Sequence, residues 1–177
     1  QFPFLCLAGG CINNSVANGK IFSNTGFKNI FIQPASGDAG GALGAALFTN
    51  YQLLNREREV NPNDSMKGSY LGPRYENDQI SEFLKAVEGI SQIYNNEDEL
   101  LNEVCSAIEN EKIIGWFNGR MEFGPRALGN RSIIGDARSE KTQTQMNLSI
   151  KYRESFRPFA PSVLEEKSQE YFDLDSS

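Results

Sequence analysis

Apolar and polar residues alternate in blocks along the first fifty residues, and these blocks favour two strands and two helices. Apolar runs at residues 4–8 and 29–34 end at glycine or proline, which is typical of short strands. Helical spacing follows each run, over residues 14–23 and 39–47, and the second helix is rich in glycine and alanine. The order strand–helix–strand–helix predicts an α/β arrangement with helices packed on a sheet.

A polar stretch at residues 55–67 interrupts this pattern and is the best candidate for a linker between residues 1–54 and residues 68–177. The pattern beyond it predicts helices and strands in mixed order, so the fold class is α/β with α+β character. Helices are expected at residues 77–87, 96–109, 142–151 and 165–172, and strands at residues 112–117 and 132–136.

Composition narrows the class of protein. The chain has 177 residues, of which 39% are hydrophobic and 23% charged, as in globular domains. A net charge of -6 disfavours a nucleic-acid-binding surface, and no apolar run is long enough to cross a membrane. Three cysteines, an odd number without a metal-binding spacing, favour a reducing, cytoplasmic location with buried thiols. The absence of histidine excludes His-based acid–base catalysis by this chain.

The densest chemistry lies at residues 119–132, which hold three arginines, three glycines and one carboxylate. Arginine grips phosphate and carboxylate groups in a bidentate geometry, and glycine lets the backbone approach a ligand closely. This pattern predicts an anion site built from Arg120, Arg126 and Arg131. The alternative is a surface loop of ion pairs in which Glu122 is the partner.

Positive charge is concentrated around this motif. Residues 120–157 carry eight basic and four acidic side chains within an otherwise acidic chain, which favours a small anionic ligand over a polyanion. Lys151, Arg153 and Arg157 extend the basic region, in a segment followed by two prolines. Its alternative role is a packed connection with Phe156 and Phe159 in a core.

Two weaker signals lie in the first fifty residues. Gly9 and Gly10 stand between a strand and a helix, where backbone N–H groups bind phosphate or simply form a tight turn. Asp38 opens the glycine-rich helix, either as its N-cap or as a metal or nucleotide ligand at the carboxyl end of a strand.

These segments together resemble the carbamoyltransferase family of nodulation and antibiotic-tailoring enzymes. The resemblance rests on residues 119–133 and 152–163, joined upstream by residues 7–11, 37–46 and 70–73 in the same order. The long arginine motif is highly specific, whereas a Gly-Gly pair alone is not.

The resemblance implies two domains. Residues 1–54 are similar to the last part of a Kae1-type domain with an actin/Hsp70-like fold, and residues 68–177 are similar to a YrdC-like domain. It further implies a fragment that lacks the amino-terminal part of the Kae1-like domain. Such a fragment is expected to expose apolar surface, with self-association into homo-oligomers or partial disorder of residues 1–54.

The implied reaction has two steps. Carbamoyl phosphate and ATP first give carbamoyl-adenylate with release of pyrophosphate, and the carbamoyl group then passes to a substrate hydroxyl near a bound iron or other divalent metal. The resemblance assigns catalytic contacts to Arg120, Arg126 and Arg131, and it implies that Glu122 orients an arginine rather than acting as a base. It assigns further binding roles and the metal ligand to a second set of residues: Ser132, Lys151, Arg153 and Arg157 for substrate, Gly9, Gly10 and Gly40 for nucleotide, and Asp38 for metal. The family's histidine ligands lie upstream of this chain, so no complete metal site is expected here.

Two alternatives remain open at this stage. A YrdC-like module could bind nucleotide or RNA without catalysis, although the acidic net charge argues against RNA. A packing domain with a vestigial pocket is the third possibility.

Overall fold

The computed structural model describes residues 2–173, which form a mixed α/β fold with two small sheets and six α-helices. In chain order the elements are β1 (Phe4–Leu7), α1 (Ser15–Asn24), β2 (Asn29–Ile32), α2 (Asp38–Phe48), α3 (Asn77–Ala86), α4 (Glu97–Glu109), β3 (Ile114–Phe117), β4 (Arg131–Ile134), α5 (Thr142–Ser149) and α6 (Ser168–Tyr171). The mixed α/β class and the order of the predicted elements are thereby confirmed, and the element bounds differ from the predicted ones by up to three residues. Gln1 and residues 174–177, the ends of the two predicted domains, lie outside the described residues.

The first sheet consists of β1 and β2, which pair in parallel with Leu5 opposite Ile30 and Leu7 opposite Ile32. Side chains alternate between the two faces of a strand, so these four residues share one face and are half-buried. The opposite face carries Phe4 and Phe31, which are 66% and 62% exposed. One face of this sheet is therefore apolar and uncovered.

The ends of the first two helices differ in how they are capped. Asn14 caps α1, because its side chain accepts a hydrogen bond from the backbone N–H of Ala17 at 3.1 Å. The N-cap of α2 is Gly37, and Asp38 is the first residue inside the helix. The interpretation of Asp38 as an N-cap is thus wrong, since the helix begins one residue earlier than that role requires.

Residues 55–66 contain neither a helix nor a strand. By spatial contact the chain forms two compact units, one made of Gln1–Ser91 with Trp116–Ser132 and the other of Gln92–Gly115 with Ile133–Ser177. The assignment of residues 1–54 and 68–177 to separate family domains stays a prediction.

Few apolar side chains are enclosed. Among the described residues only Ala35 and Met146 are buried apolar residues, at 0% and 5% exposure. The expectation of buried thiols is wrong, because Cys6, Cys11 and Cys105 are all exposed and unpaired. No helix within the described range has the length and apolar character needed to cross a bilayer.

Candidate functional site

Glu122 organises the segment at residues 118–132, here called the arginine loop. Its side chain is 5% exposed, and a single oxygen, Oε1, accepts three backbone N–H groups. These come from Leu128 at 2.8 Å, Asn130 at 2.8 Å and Arg131 at 3.2 Å. One carboxylate therefore fixes the backbone of the second half of the loop.

The same hydrogen bonds set the charge of Glu122. Burial favours the protonated form, but the backbone N–H groups of Leu128, Asn130, Glu122 itself and Arg131 outweigh it and lower the pKa to about 2. A carboxylate with this pKa stays ionised at neutral pH and is a poor proton acceptor. The expectation that Glu122 is no base agrees with this geometry, but its partners are backbone amides rather than an arginine side chain.

Arg131 is enclosed by the backbone of its own loop and of a neighbouring segment. Its Nη1 donates to the carbonyls of Asn118 (2.7 Å) and Asn130 (2.9 Å), and its Nη2 to those of Gly119 (3.2 Å) and Pro73 (3.4 Å). The guanidinium also lies over the ring of Phe117, 3.5 Å from its centroid. The terminal nitrogens of Arg131 are thus committed to protein contacts.

Arg120 and Arg126 are held differently. Arg120 makes one side-chain hydrogen bond, from Nη1 to the carbonyl of Gly72 at 3.0 Å. Arg126 is exposed and has no side-chain hydrogen bond within the part of the chain that the structure describes. None of the four ion pairs found among the described residues involves Arg120, Arg126 or Arg131, so the alternative of a surface ion-pair loop is wrong.

Ser132, at the end of the loop, is half-buried and supports its backbone. The hydroxyl oxygen accepts the N–H of Gly129 at 3.1 Å. Gly129 has a φ of 113°, a left-handed conformation that favours glycine. In this arrangement Ser132 shapes the turn beside Asn130, and its predicted contact with substrate stays a prediction.

A second segment, residues 69–73, anchors the arginine loop. Backbone hydrogen bonds run from Phe123 N–H to Ser69 O (2.6 Å), from Met121 N–H to Pro73 O (3.0 Å) and from Gly72 N–H to Met121 O (2.8 Å). The hydroxyl of Tyr70 donates to Leu128 O at 2.7 Å. The loop is consequently tied at both halves, which keeps its exposed arginines on a fixed backbone.

Gly9, Gly10, Asp38 and Gly40 come together around one cleft of about 450 Å³, here called the glycine cleft. The N–H of Gly9 is already used, since it donates to the carbonyl of Ser36 at 2.7 Å. Gly40 packs directly against the carbonyl of Ala35, where a β-carbon would collide. Gly40 is therefore a tightly packed part of the cleft wall, whereas Gly9 and Gly10 both have open space beside their α-carbons.

Two polar groups at this cleft lack partners. The hydroxyl of Ser36, a residue only 5% exposed, makes no hydrogen bond to any residue from 2 to 173, and neither does the buried Nε2 of Gln33, whose Oε1 accepts the N–H of Ala35 at 2.5 Å. Buried polar atoms are normally paired, so these two are the groups that a polar ligand in the cleft would satisfy.

The residues around Asp38 do not make a metal site by themselves. Within residues 2–173 no group of three or more cysteine, aspartate and glutamate side chains could hold a metal ion, and the chain has no histidine. Asp38 is thus at most one ligand of the expected site. The donors present do not fit a bound iron without others.

The arginine loop and the glycine cleft meet at one contact. A β-carbon placed on Gly124 would lie 2.8 Å from the Cβ of Ala35, and the same alanine packs against Gly40 on the cleft wall. Gly124 has a φ of 108°. Two sets of residues that the sequence assigned to separate domains are therefore neighbours in the first compact unit.

The second compact unit carries the remaining predicted cations, in the segment at residues 151–157, here called the cationic segment. Lys151 is exposed, and Arg157 forms an ion pair with Glu154 at 2.7 Å, with both side chains about half exposed. Arg153 donates from Nε to the Oδ1 of Asn147 at 2.6 Å, and its guanidinium lies 4.9 Å from the ring centroid of Phe159. Phe156 is 77% exposed, so its predicted place in a core is wrong.

Sequence reasoning missed Asn147, Ser36 and Gln33. Asn147 is completely buried and Ser36 nearly so, although both are small polar residues without a motif of their own. A usable signal existed for Asn147, since it follows Met146 directly in a helix and so lies next to the apolar face. No local signal marks Ser36 or Gln33.

Two family models match the chain. The model described as Carbamoyltransferase N-terminus matches residues 2–47, and the model described as Carbamoyltransferase C-terminus matches residues 105–177. The first covers the glycine cleft, and the second covers both the arginine loop and the cationic segment.

Similar proteins align over nearly the whole chain. It is 58% identical to the Uncharacterized protein sll1178 of Synechocystis sp., covering 97% of this chain and 28% of that protein. It is 44% identical to Nodulation protein NolO of Bradyrhizobium diazoefficiens (96% of this chain, 30% of that protein) and 42% identical to Nodulation protein NolNO of Sinorhizobium fredii (98% and 25%). The chain thus spans less than a third of the length of these relatives.

Proposed function

Because this chain belongs to the carbamoyltransferase family, we propose that it contributes phosphate-binding groups to an ATP-dependent O-carbamoyltransferase. The proposed reaction forms carbamoyl-adenylate from carbamoyl phosphate and ATP, with release of pyrophosphate, and passes the carbamoyl group to a hydroxyl of a small-molecule acceptor. In this proposal residues 1–54 belong to a Kae1-like domain and residues 68–177 to a YrdC-like domain. The chain acts together with the remainder of a longer protein.

The observation that carries the proposal is that some charged side chains of the arginine loop stabilise its backbone, whereas others keep free hydrogen-bond donors. Glu122 and Arg131 make their hydrogen bonds to backbone groups of the loop and of the neighbouring Pro73, while Arg126 keeps all its donors and Arg120 keeps most. The fixed backbone keeps these guanidinium groups close to one place, so only their side chains must order to meet a phosphate and stabilise negative charge that develops during reaction. Bidentate pairing with phosphate oxygens is the chemistry that such a group performs best.

The cationic segment supports the same chemistry in its own unit. Lys151, Arg153 and Arg157 lie within seven residues of each other, and their side chains are exposed or half-buried. A reaction between two polyanionic substrates requires cations that offset their repulsion. We assign these three residues to substrate phosphates. On the arginine loop, Ser132 is assigned separately as a hydroxyl donor to substrate.

The glycine cleft is assigned to a nucleotide in this proposal. Its volume of about 450 Å³ lies in the range of small-molecule sites. The unpartnered groups of Ser36 and Gln33 and the open backbone at Gly10 supply polar contacts. Asp38, in the first turn of α2, would be one ligand of a metal that other parts of the protein complete.

Calorimetric titration with a non-hydrolysable ATP analogue, with and without carbamoyl phosphate, tests the proposal. We expect the chain to bind, and Arg126→Ala to weaken binding by about tenfold or more. Arg58→Ala is the matched control, because Arg58 is an exposed arginine in the stretch without helix or strand and should leave binding unchanged.

Two results would overturn this assignment. Equal binding by the wild type and Arg126→Ala would remove the arginine loop from the site. An absence of nucleotide binding, combined with RNA binding that weakens steeply with salt, would favour the non-catalytic RNA-binding module instead.

A further inference from the structure

Asn147 in α5 is the largest completely buried polar side chain in the described part of the molecule. Both hydrogens of its amide group are used, because Nδ2 donates to the carbonyls of Ser155 (3.1 Å) and Arg157 (2.8 Å). Its Oδ1 accepts the Nε–H of Arg153 at 2.6 Å, and its backbone carbonyl accepts the N–H of the same arginine at 3.1 Å. One residue of the helix therefore binds three residues of the cationic segment, Arg153, Ser155 and Arg157, through four hydrogen bonds.

These contacts fix the orientation of the Arg153 guanidinium. Its Nε is bound to Asn147, and the guanidinium lies 4.9 Å from the ring centroid of Phe159. Its two terminal nitrogens make no hydrogen bond to any residue in the described range. A guanidinium restrained in this way presents a fixed fork with two open donors, which is the geometry that matches two oxygens of one phosphate.

A neighbouring residue, Gln143, holds the backbone of the cationic segment without orienting Arg153, so the two effects can be tested separately. Gln143 lies one turn earlier in α5, and its Nε2 donates to the carbonyls of Phe156 (3.2 Å) and Arg157 (3.1 Å). Gln143 thus ties the backbone of the segment to the helix but makes no hydrogen bond to Arg153 among the described residues. Asn147 binds both the segment backbone and the Arg153 side chain.

Burying an amide is costly unless its bonds are made, so an apolar residue would serve packing alone at least as well. We propose that Asn147 is a positioning residue for phosphate binding, which holds Arg153 as a bidentate clamp for a phosphate group of the substrate. The proposal rests on the proposed function and adds to it the residue through which Arg153 acts. The ligand chemistry is a phosphate or phosphoanhydride group.

A double-mutant cycle on the whole chain tests this role, with inorganic pyrophosphate as the probe and calorimetry as the measurement. We expect Asn147→Ser and Arg153→Met each to weaken pyrophosphate binding by about tenfold. The double variant should bind no more weakly than Arg153→Met, because Asn147 acts through Arg153. Losses that multiply to about a hundredfold would show independent effects and overturn the proposal.

Gln143→Ala is the control for a purely structural effect. It removes hydrogen bonds to the same segment but leaves Arg153 untouched, so binding should change by no more than about twofold. A loss of pyrophosphate affinity equal to that of Asn147→Ser would mean that the backbone shape of the segment alone explains the effect, and it would overturn the positioning role of Asn147.

Arg153→Lys provides a measurement that leaves the core of α5 intact, and it decides the question if Asn147→Ser is unstable. Lysine keeps the charge but lacks the fork, so we expect it to bind pyrophosphate about as weakly as Arg153→Met. Wild-type affinity in Arg153→Lys would contradict a bidentate clamp.

The outcomes separate the two proposals. Binding that is lost in Arg126→Ala but unchanged in Asn147→Ser overturns only the positioning role. Binding that is independent of Arg126 but shows the coupling between Asn147 and Arg153 overturns only the assignment of the arginine loop. A wild-type chain that binds the ATP analogue but not pyrophosphate overturns the positioning role alone.

Discussion

Gly124 packs so closely on Ala35 that a β-carbon added to the glycine would lie 2.8 Å from the alanine Cβ. This contact joins the arginine loop to the segment that forms the wall of the glycine cleft. Gly124 also has a φ of 108°, a conformation that side chains with a β-carbon rarely adopt. Steric space and backbone geometry thus both require glycine at this position.

We predict that Gly124→Ala lowers the free energy of unfolding by about 2 kcal/mol or more, because it adds both strain and overlap. Gly19→Ala is the matched control, since Gly19 lies within α1 and has open space around its α-carbon. That control should be neutral or stabilise by up to about 1 kcal/mol. Urea unfolding of the two variants measures the difference, and similar stabilities would show that the Ala35 contact yields easily.

The low pKa of Glu122 predicts a pH-dependent contribution to stability. The pKa of about 2 in the folded chain lies below the ordinary value of 4.5, so the stabilisation is complete above about pH 4.5 and is lost as the pH falls towards 2. Glu122→Gln keeps an oxygen for the backbone N–H groups but removes the charge. We expect it to cost about 2 to 3 kcal/mol at pH 7.

Urea unfolding of Glu122→Gln and wild type between pH 7 and pH 2 checks this prediction. The stability difference should shrink as the pH falls below about 4.5. Glu59→Gln is the control, because Glu59 is exposed in the stretch without helix or strand, and it should follow the wild type at every pH. A constant difference between Glu122→Gln and wild type would argue that shape, rather than charge, matters at this position.

Arg131 and Arg126 should differ in what they contribute to stability. Arg131→Lys loses hydrogen bonds to the carbonyls of Asn118, Gly119 and Pro73 and the contact with Phe117, so we expect a loss of about 2 kcal/mol. Arg126→Lys, which disturbs no side-chain hydrogen bond or ion pair in the described structure, should change stability by less than about 0.5 kcal/mol. Thermal and urea unfolding give both values. Equal stability of the two variants would contradict the scaffolding role of Arg131.

The apolar face of the first sheet predicts self-association. Phe4 and Phe31 are largely exposed on neighbouring strands, and exposed apolar patches drive association in water. We expect the chain to sediment as oligomers at micromolar concentration and Phe31→Thr to shift it towards monomer. Thr suits an exposed strand position, so the sheet itself should survive. A wild-type chain that stays monomeric up to high concentration would refute the prediction.

Local sequence patterns were sufficient for the elements of this fold. The strands at residues 4–7 and 29–32 and the helices that follow them are marked by apolar spacing, glycine and proline, all of which act over a few residues. The error at Asp38 has the same origin. A cap depends on the residue at which the helix begins, and Gly37 occupies that position here.

The roles of individual residues were beyond local patterns where the partners are distant. Arg131 donates to Pro73 across 58 positions, and Phe117 supplies the ring beneath its guanidinium. Nothing near Arg131 in the sequence distinguishes it from Arg126, which keeps its donors. The burial of Asn147 likewise depends on carbonyls that lie eight and ten residues further along the chain.

Ala35 also constrains how the sequence can change over evolutionary time. Its atoms leave no room for a β-carbon at Gly40 on one side or at Gly124 on the other, although 84 positions separate the two glycines. A larger residue at any of these three positions is disfavoured unless the backbone around the other two shifts with it. Mutational tolerance should therefore be jointly restricted at positions 35, 40 and 124, so that residues of the cleft and residues of the loop are expected to evolve together.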